Sequence, residues 1–199
     1  MKWYGVQVGK SGEPKVLDNW KDCQSEVIGV RGAIYKSFKK KEDATEYAFK
    51  KVNKVEVNVN KGYVCYVDGS FNSTTGVYGY GLVVLKDGEV VQRIKGSGDD
   101  ETLKEYRNVT GEVLGALSAF RFAIKNSIRE ITVVYDYLGV EHWATGDWGR
   151  DCNLSKDYYK FCQNVFKSVK VNFVKVKGHS GDKYNDLVDN LAKQATGVI

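Results

Sequence analysis

Four acidic residues of this chain stand in apolar surroundings, where an isolated carboxylate is costly. Asp68 closes the apolar run Tyr63-Val64-Cys65-Tyr66-Val67 and is followed by Gly69-Ser70. Asp136 closes a second run, Ile131-Thr132-Val133-Val134-Tyr135. Glu112 lies among Val109, Gly111, Val113 and Ala116, and Asp189 lies beside Val188 and Leu191. Asp186 precedes Asp189 by three residues, so on a helix the two would share one side. Singly, each acid has an ordinary explanation: a turn former, a helix cap, or one position on a solvated face. Gathered in one place they would repel one another unless cations neutralised them. Hard oxygen ligands suit Mg²⁺ or Mn²⁺, which often also lean on substrate phosphate. Two such ions about 3.5–4 Å apart can clamp an in-line phosphoryl displacement, one activating the attacking water and the other stabilising the leaving oxygen.

The elements that must position these acids are legible in the hydrophobic pattern. A strand over 63–68 is followed by strands near 80–86 and 89–95, joined at the hairpin signal Asp87-Gly88. A long helix is expected from about Glu105 to Lys125, then a strand over 130–135. Short helical pieces follow over about 137–145 and 155–168, with a strand over 171–176 and a last helix over about 182–196. Three antiparallel strands followed by strand–helix alternation imply an α/β fold with a mixed sheet. Ahead of it, residues 1–50 read as strand, strand, helix, strand, helix: Trp3–Val8, a loop around Gly12, a helix from Trp20 capped by Asp18 or Asn19, a strand at 33–38 and a helix over 41–51. Residues 51–61 alternate Val with polar residues and read as a linker, although a strand also fits.

Charge separates the two parts. Residues 1–61 hold 13 Lys/Arg against 8 Asp/Glu, whereas 62–199 hold 17 of each, so the whole net charge of +5 sits in the first third. A basic module beside a neutral one suggests a polyanion anchor attached to a working domain, the alternative being a Lys-rich solvated face. No run of about 18 apolar residues is present, so no membrane-spanning helix is expected. The N-terminus has no apolar stretch behind a basic start, and no secretion signal is expected. Cys23, Cys65, Cys152 and Cys162 lack zinc-ligand spacing and read as free thiols of a cytoplasmic protein.

Over about residues 63–196 the sequence resembles the type-1 class of the ribonuclease H family, within a catalytic domain expected over 62–199. The resemblance rests on Tyr66-Val67-Asp68-Gly69-Ser70, Arg107-Asn108-Val109-Thr110-Gly111-Glu112, Val134-Tyr135-Asp136-Tyr137, and Val176-Lys177-Gly178-His179-Ser180-Gly181 followed by Asn185-Asp186-Leu187-Val188-Asp189. It implies a five-stranded mixed sheet with flanking helices, and an endonuclease cutting the RNA strand of RNA–DNA hybrids to leave 3′-hydroxyl and 5′-phosphate ends. It implies Asp68, Glu112, Asp136 and Asp189 as ligands of two Mg²⁺ ions (or Mn²⁺), Asp186 as an auxiliary acid, and His179 as a mobile-loop group assisting proton movement or product release. Asn108 matches a residue that contacts the minor groove, where 2′-hydroxyls distinguish RNA. Ser70 and Asn72 fall in the loop that supplies further contacts, and Trp143 and Trp148 resemble the tryptophans of the DNA channel, core packing being the alternative. Two departures stand out. Leu138 occupies the place of a groove-reading Gln two residues after the third acid, and the Lys/Arg-rich insertion of some members is absent.

Over about residues 2–50, within a domain expected over 1–50, the sequence resembles the small α+β hybrid-binding (viroplasmin-like) domain found ahead of many ribonuclease H domains, through Trp3-Tyr4-Gly5-Val6, Trp20-Lys21-Asp22-Cys23 and Gly32-Ala33-Ile34-Tyr35-Lys36-Ser37-Phe38. It implies that Trp20, Tyr35 and Lys36 hold the DNA strand and that backbone near Gly32 meets RNA hydroxyls. Ser37 stands where many members carry a second lysine. The implied partner is an RNA–DNA hybrid, with no membrane and no obligate protein partner, so a monomer is expected. Two rival readings fit parts of the same sequence: a hybrid-binding protein with a decayed nuclease domain, and a related polynucleotidyl transferase such as an integrase or transposase core.

Overall fold

The computed structural model describes residues 2–30, 33–49, 59, 61–176, 178 and 182–198. The chain divides into two compact units, residues 1–55 with 146–149 and residues 56–145 with 150–199. Most of the expected linker over 51–61, together with Gly32 and His179, lies outside the described residues.

In the first unit, strands β1 (Trp3–Val8), β2 (Lys15–Leu17) and β3 (Ile34–Phe38) form an antiparallel sheet ordered β2-β1-β3. Helices α1 (Trp20–Val27) and α2 (Lys41–Phe49) complete it. Asn19, rather than Asp18, caps α1: its side-chain oxygen accepts from the Asp22 amide at 2.9 Å. The core is small, built on Val6, Cys23 and Val27, with Ala44 and Ala48 buried on α2.

The second unit is a five-stranded sheet ordered β6-β5-β4-β7-β8. Its strands are β4 (Tyr63–Phe71), β5 (Tyr78–Lys86), β6 (Glu89–Gly98), β7 (Glu130–Tyr135) and β8 (Lys170–Lys175). The first three are antiparallel, and β7 and β8 add in parallel to β4 and β7. Asp87 and Gly88 both take positive φ, as a two-residue hairpin turn requires. The helices are α3 (Glu101–Lys104), α4 (Asn108–Lys125), α5 (Gly139–Thr145), α6 (Asn153–Val165) and α7 (Lys183–Thr196). Strand parity sorts the core. Cys65, Val67, Leu82, Val84, Val133 and Tyr135 pack with Val113 and Phe120 of α4 and Tyr158 of α6. Val64, Tyr66, Val83, Leu85 and Val134 pack with Val188 of α7 on the other face.

Two sequence expectations need correction. β4 does not end at Asp68 but continues through Gly69, Ser70 and Phe71, paired with Tyr80, Gly79 and Tyr78. The long helix does not start at Glu105. Asp100 caps the single turn of α3, Arg107 turns to φ 52°, and α4 begins at Asn108. Both corrections have one cause, the close seating of α4 on β4. An added Cβ at Gly69 would lie 2.4 Å from the Asn108 carbonyl oxygen and 2.4 Å from the Glu112 amide nitrogen. One at Gly111 would lie 2.1 Å from the Gly79 carbonyl oxygen. Only paired glycines let a helix and a strand meet at such range.

Candidate active site

Asp68, Glu112 and Asp136 come from β4, α4 and the end of β7, and each offers a carboxylate oxygen within 4.8 Å of the others. Asp68 and Glu112 are 8% and 3% exposed, so both carboxyl groups sit almost out of water. The Gly69 amide donates to Asp68 Oδ1 at 2.8 Å, whereas Glu112 Oε2 is buried with no hydrogen-bond partner. Burial, followed by the charges of Asp136 and Asp189, pushes the Asp68 carboxyl up to about 6. Burial and then the Asp68 and Asp136 charges raise Glu112 well above the usual carboxylate range.

An orphaned carboxylate oxygen beside two further acids is what a divalent cation would satisfy. The donors are hard oxygens, and a cation would lift the repulsion that raises both carboxyls. The residues present therefore fit Mg²⁺ or Mn²⁺.

The other expected residues are placed as follows. Asp189, half-buried on α7, lies outside the three-acid cluster yet near enough for its charge to act on Asp68, and its Oδ2 accepts from Lys193 Nζ at 2.6 Å. Asp186 is exposed, so it does not share the environment of Asp189. Asn108 is exposed at the start of α4. Ser70 and Asn72, expected at the nucleic acid, spend their side chains inside the unit. Ser70 Oγ lies 3.1 Å from Thr196 Oγ1, and Asn72 Nδ2 donates to the Thr196 carbonyl at 3.0 Å. Even-numbered residues of β4 face α7, which sends the Ser70 hydroxyl inward. Trp143 is half-buried edge-on to Tyr137, with ring centres 5.8 Å apart, and Trp148 is half-buried in the 146–149 segment. In the first unit Trp20 and Tyr35 are exposed, their ring centres 5.9 Å apart, with Tyr4 5.6 Å behind Trp20. The Lys36 ammonium sits 6.0 Å from the Tyr47 ring centre.

Sequence reasoning missed Lys193 and the glycine seats. Lys193 could have been found, since a base four residues after an acid on a helix is a favoured pair. Glycines inside strands at 69, 79 and 81 are the signal for close helix approach. Among the described residues no helix is long and apolar enough to cross a membrane.

Comparisons with known proteins bear on both units. A family model described as Ribonuclease H1 N-terminal domain matches residues 2–48, and one described as RNase H matches residues 60–197. A ribonuclease H of Syntrophomonas wolfei is 31% identical over 147 residues, covering 68% of this chain and 96% of that protein. The fold is shared with RNase H1 of the halophilic archaeon Halobacterium salinarum, with a TM-score of 0.58 at 19% identity over 69% of this chain and 98% of that one. It is shared also with LC11-RNase H1 in complex with an RNA/DNA hybrid, with a TM-score of 0.56 at 15% identity over 68% and 96% of the two chains. A match that takes in more than half the sequence, and with it the strands and helices carrying all four acids, settles the assignment: the chain belongs to the ribonuclease H family of enzymes.

Proposed function

We propose that this protein is an endonuclease that hydrolyses the RNA strand of RNA–DNA hybrids, leaving 3′-hydroxyl and 5′-phosphate ends. Residues 1–50 anchor the hybrid, 51–61 link, and 62–199 cut. The observation that carries the reading is the meeting of Asp68, Glu112 and Asp136 with Glu112 Oε2 buried and unsatisfied. Two Mg²⁺ ions held by these acids and Asp189 would supply an activated water and charge stabilisation at the leaving oxygen. The similarity to an RNase H1 bound to an RNA/DNA hybrid supports the substrate class.

The chain's own residues have separate tasks. Gly69 and Gly111 fix the spacing between β4 and α4, and hence between Asp68 and Glu112. Asn108, exposed at the head of α4, reads the groove beside the acids. Trp143 and Trp148 border the DNA strand, Asp186 assists from the exposed side of α7, and His179 moves a proton or aids product release. In the first unit Trp20 and Tyr35 offer faces for the DNA backbone sugars, Lys36 neutralises phosphate, and the backbone at Gly32 meets 2′-hydroxyls. Tethering the two modules raises the local concentration of hybrid at the cutting site. The protein acts as a cytoplasmic monomer.

The test is digestion of an end-labelled hybrid beside duplex RNA, duplex DNA and single-stranded RNA with titrated Mg²⁺. Metal-dependent cuts confined to the RNA of the hybrid are expected. Cleavage without metal, or strand joining on duplex DNA, would overturn the reading.

A further inference from the structure

Asp68 and Ser70 share the face of β4 that looks toward α7, Asn72 follows just past the strand's end, and α7 answers them with residues spaced along one stripe. Asp189 lies opposite the acid end, and Thr196 follows it by seven residues, two turns along the same side. Thr196 is 5% exposed, in the last turn of α7 before Gly197. Its hydroxyl donates to the Lys193 carbonyl at 3.0 Å, so at 3.1 Å Ser70 is the donor to Thr196. Asn72 Nδ2 holds the Thr196 carbonyl at 3.0 Å, while Asn72 Oδ1 accepts from the amides of Thr74 and Thr75 at 3.0 and 3.2 Å. An added Cβ at Gly79 would meet the Thr196 methyl at 2.7 Å, so that methyl rests against the strand backbone. Lys193, whose carbonyl ends this chain of bonds, carries the ammonium that grips Asp189 at 2.6 Å.

The geometry points to Thr196 as a positioning residue for Asp189: its hydroxyl, held by Ser70, and its carbonyl, held by Asn72, keep α7 against β4 so that Asp189 stays in range of the other acids before any cation arrives. This rests on the metal-dependent reading above. Asp189 and Asp68 are like charges when ionised, which disfavours their approach when no cation is bound. The clasp opposes that separation from the C-terminal end of α7, two turns beyond Asp189. Ordering done by the clasp need not be done by the cation, so its loss appears as weaker cation affinity.

The test uses the full chain with Thr196→Val, which keeps the shape and methyl but removes the hydroxyl, and Thr196→Ser, which keeps the hydroxyl. Two readouts are taken against Mg²⁺ concentration: the Mg²⁺-induced rise in melting temperature, and hybrid cleavage. The expected result for Thr196→Val is a half-saturating Mg²⁺ concentration raised about five-fold in both readouts, the equivalent of one buried hydrogen bond of about 1 kcal/mol. The cleavage rate at saturating Mg²⁺ should stay within about two-fold of wild type, and Thr196→Ser should restore the affinity. A residue serving stability alone would lower the metal-free melting temperature and leave both Mg²⁺ midpoints unmoved, and that outcome overturns the inference. Ser70→Ala probes the same bond from the strand should Thr196→Val fail to fold, and an unmoved midpoint there overturns it equally. If the wild-type protein shows neither a Mg²⁺-dependent melting shift nor hybrid cleavage, the functional reading falls and takes this inference with it.

Discussion

Replacing Gly69 with Ala tests the link between packing and chemistry most sharply. The new methyl would sit 2.4 Å from both the Asn108 carbonyl oxygen and the Glu112 amide nitrogen, and 2.8 Å from the Gly111 carbonyl carbon. All three are backbone atoms near the head of α4, so no side chain can swing aside. Restoring ordinary contact at about 3.4 Å moves the head of α4 about 1 Å off β4. Glu112 rides on that end of α4 and Asp68 on β4, so the carboxylates separate by a similar amount. Overpacking of this kind costs about 1–3 kcal/mol of stability. A misplacement of about 1 Å at a reacting centre costs on the order of 10²-fold in rate. Hybrid cleavage at saturating Mg²⁺, thermal melting, and hybrid binding in Ca²⁺ would be measured together. Cleavage should fall on the order of 100-fold, melting by several degrees, and binding by less than about three-fold. Gly115→Ala, one turn further along α4, is the graded control. Its Cβ would lie 3.2 Å from both the Gly81 carbonyl oxygen and Val67 Cβ, an overlap relieved by a few tenths of an ångström, so cleavage should drop less than ten-fold. A Gly69→Ala protein that melts and cuts like wild type would refute the argument that glycine spacing sets the acid geometry.

Other outcomes follow from the same structure. Asp68→Asn should abolish cleavage while leaving hybrid binding within about two-fold; surviving cleavage would remove Asp68 from the metal site. Without metal, stability should fall as pH rises from about 4 to above 6. Asp68 ionises near 4 when unfolded but near 6 when folded, and Glu112 is shifted the same way, so the native state binds more protons across that window. Melting scans at pH 5 and 7.5 should show the drop in chelator and lose most of it in Mg²⁺; a rise in stability over this range would contradict the burial of these acids. Deleting residues 1–50 should weaken hybrid binding and flatten its dependence on log salt concentration, because the entire excess of basic residues lies in the first 61. An unchanged salt slope would show that the basic module is not the anchor.

The sequence by itself determined the order and type of nearly every element, because apolar periodicity of two or 3.6 is a local property of the chain. β1, α1, β7 and α7 lie within a residue or two of expectation. It also pointed to Asp68, Glu112 and Asp136, which the fold brings together, since a carboxylate inside an apolar run is visible without coordinates. What it could not decide was where periodicity yields to contact. The extension of β4 past Asp68, the break at Arg107, and the inward turn of Ser70 and Asn72 all depend on helices pressing against strands remote in sequence. The same holds for the site. That Asp68, Glu112 and Asp136 meet while Asp189 stands slightly apart, held by Lys193, is set by the packing distances of α4 and α7 on a shared sheet. Spacing along the chain carries no such distances, since only folding turns a separation of 44 residues between Asp68 and Glu112 into one of a few ångströms.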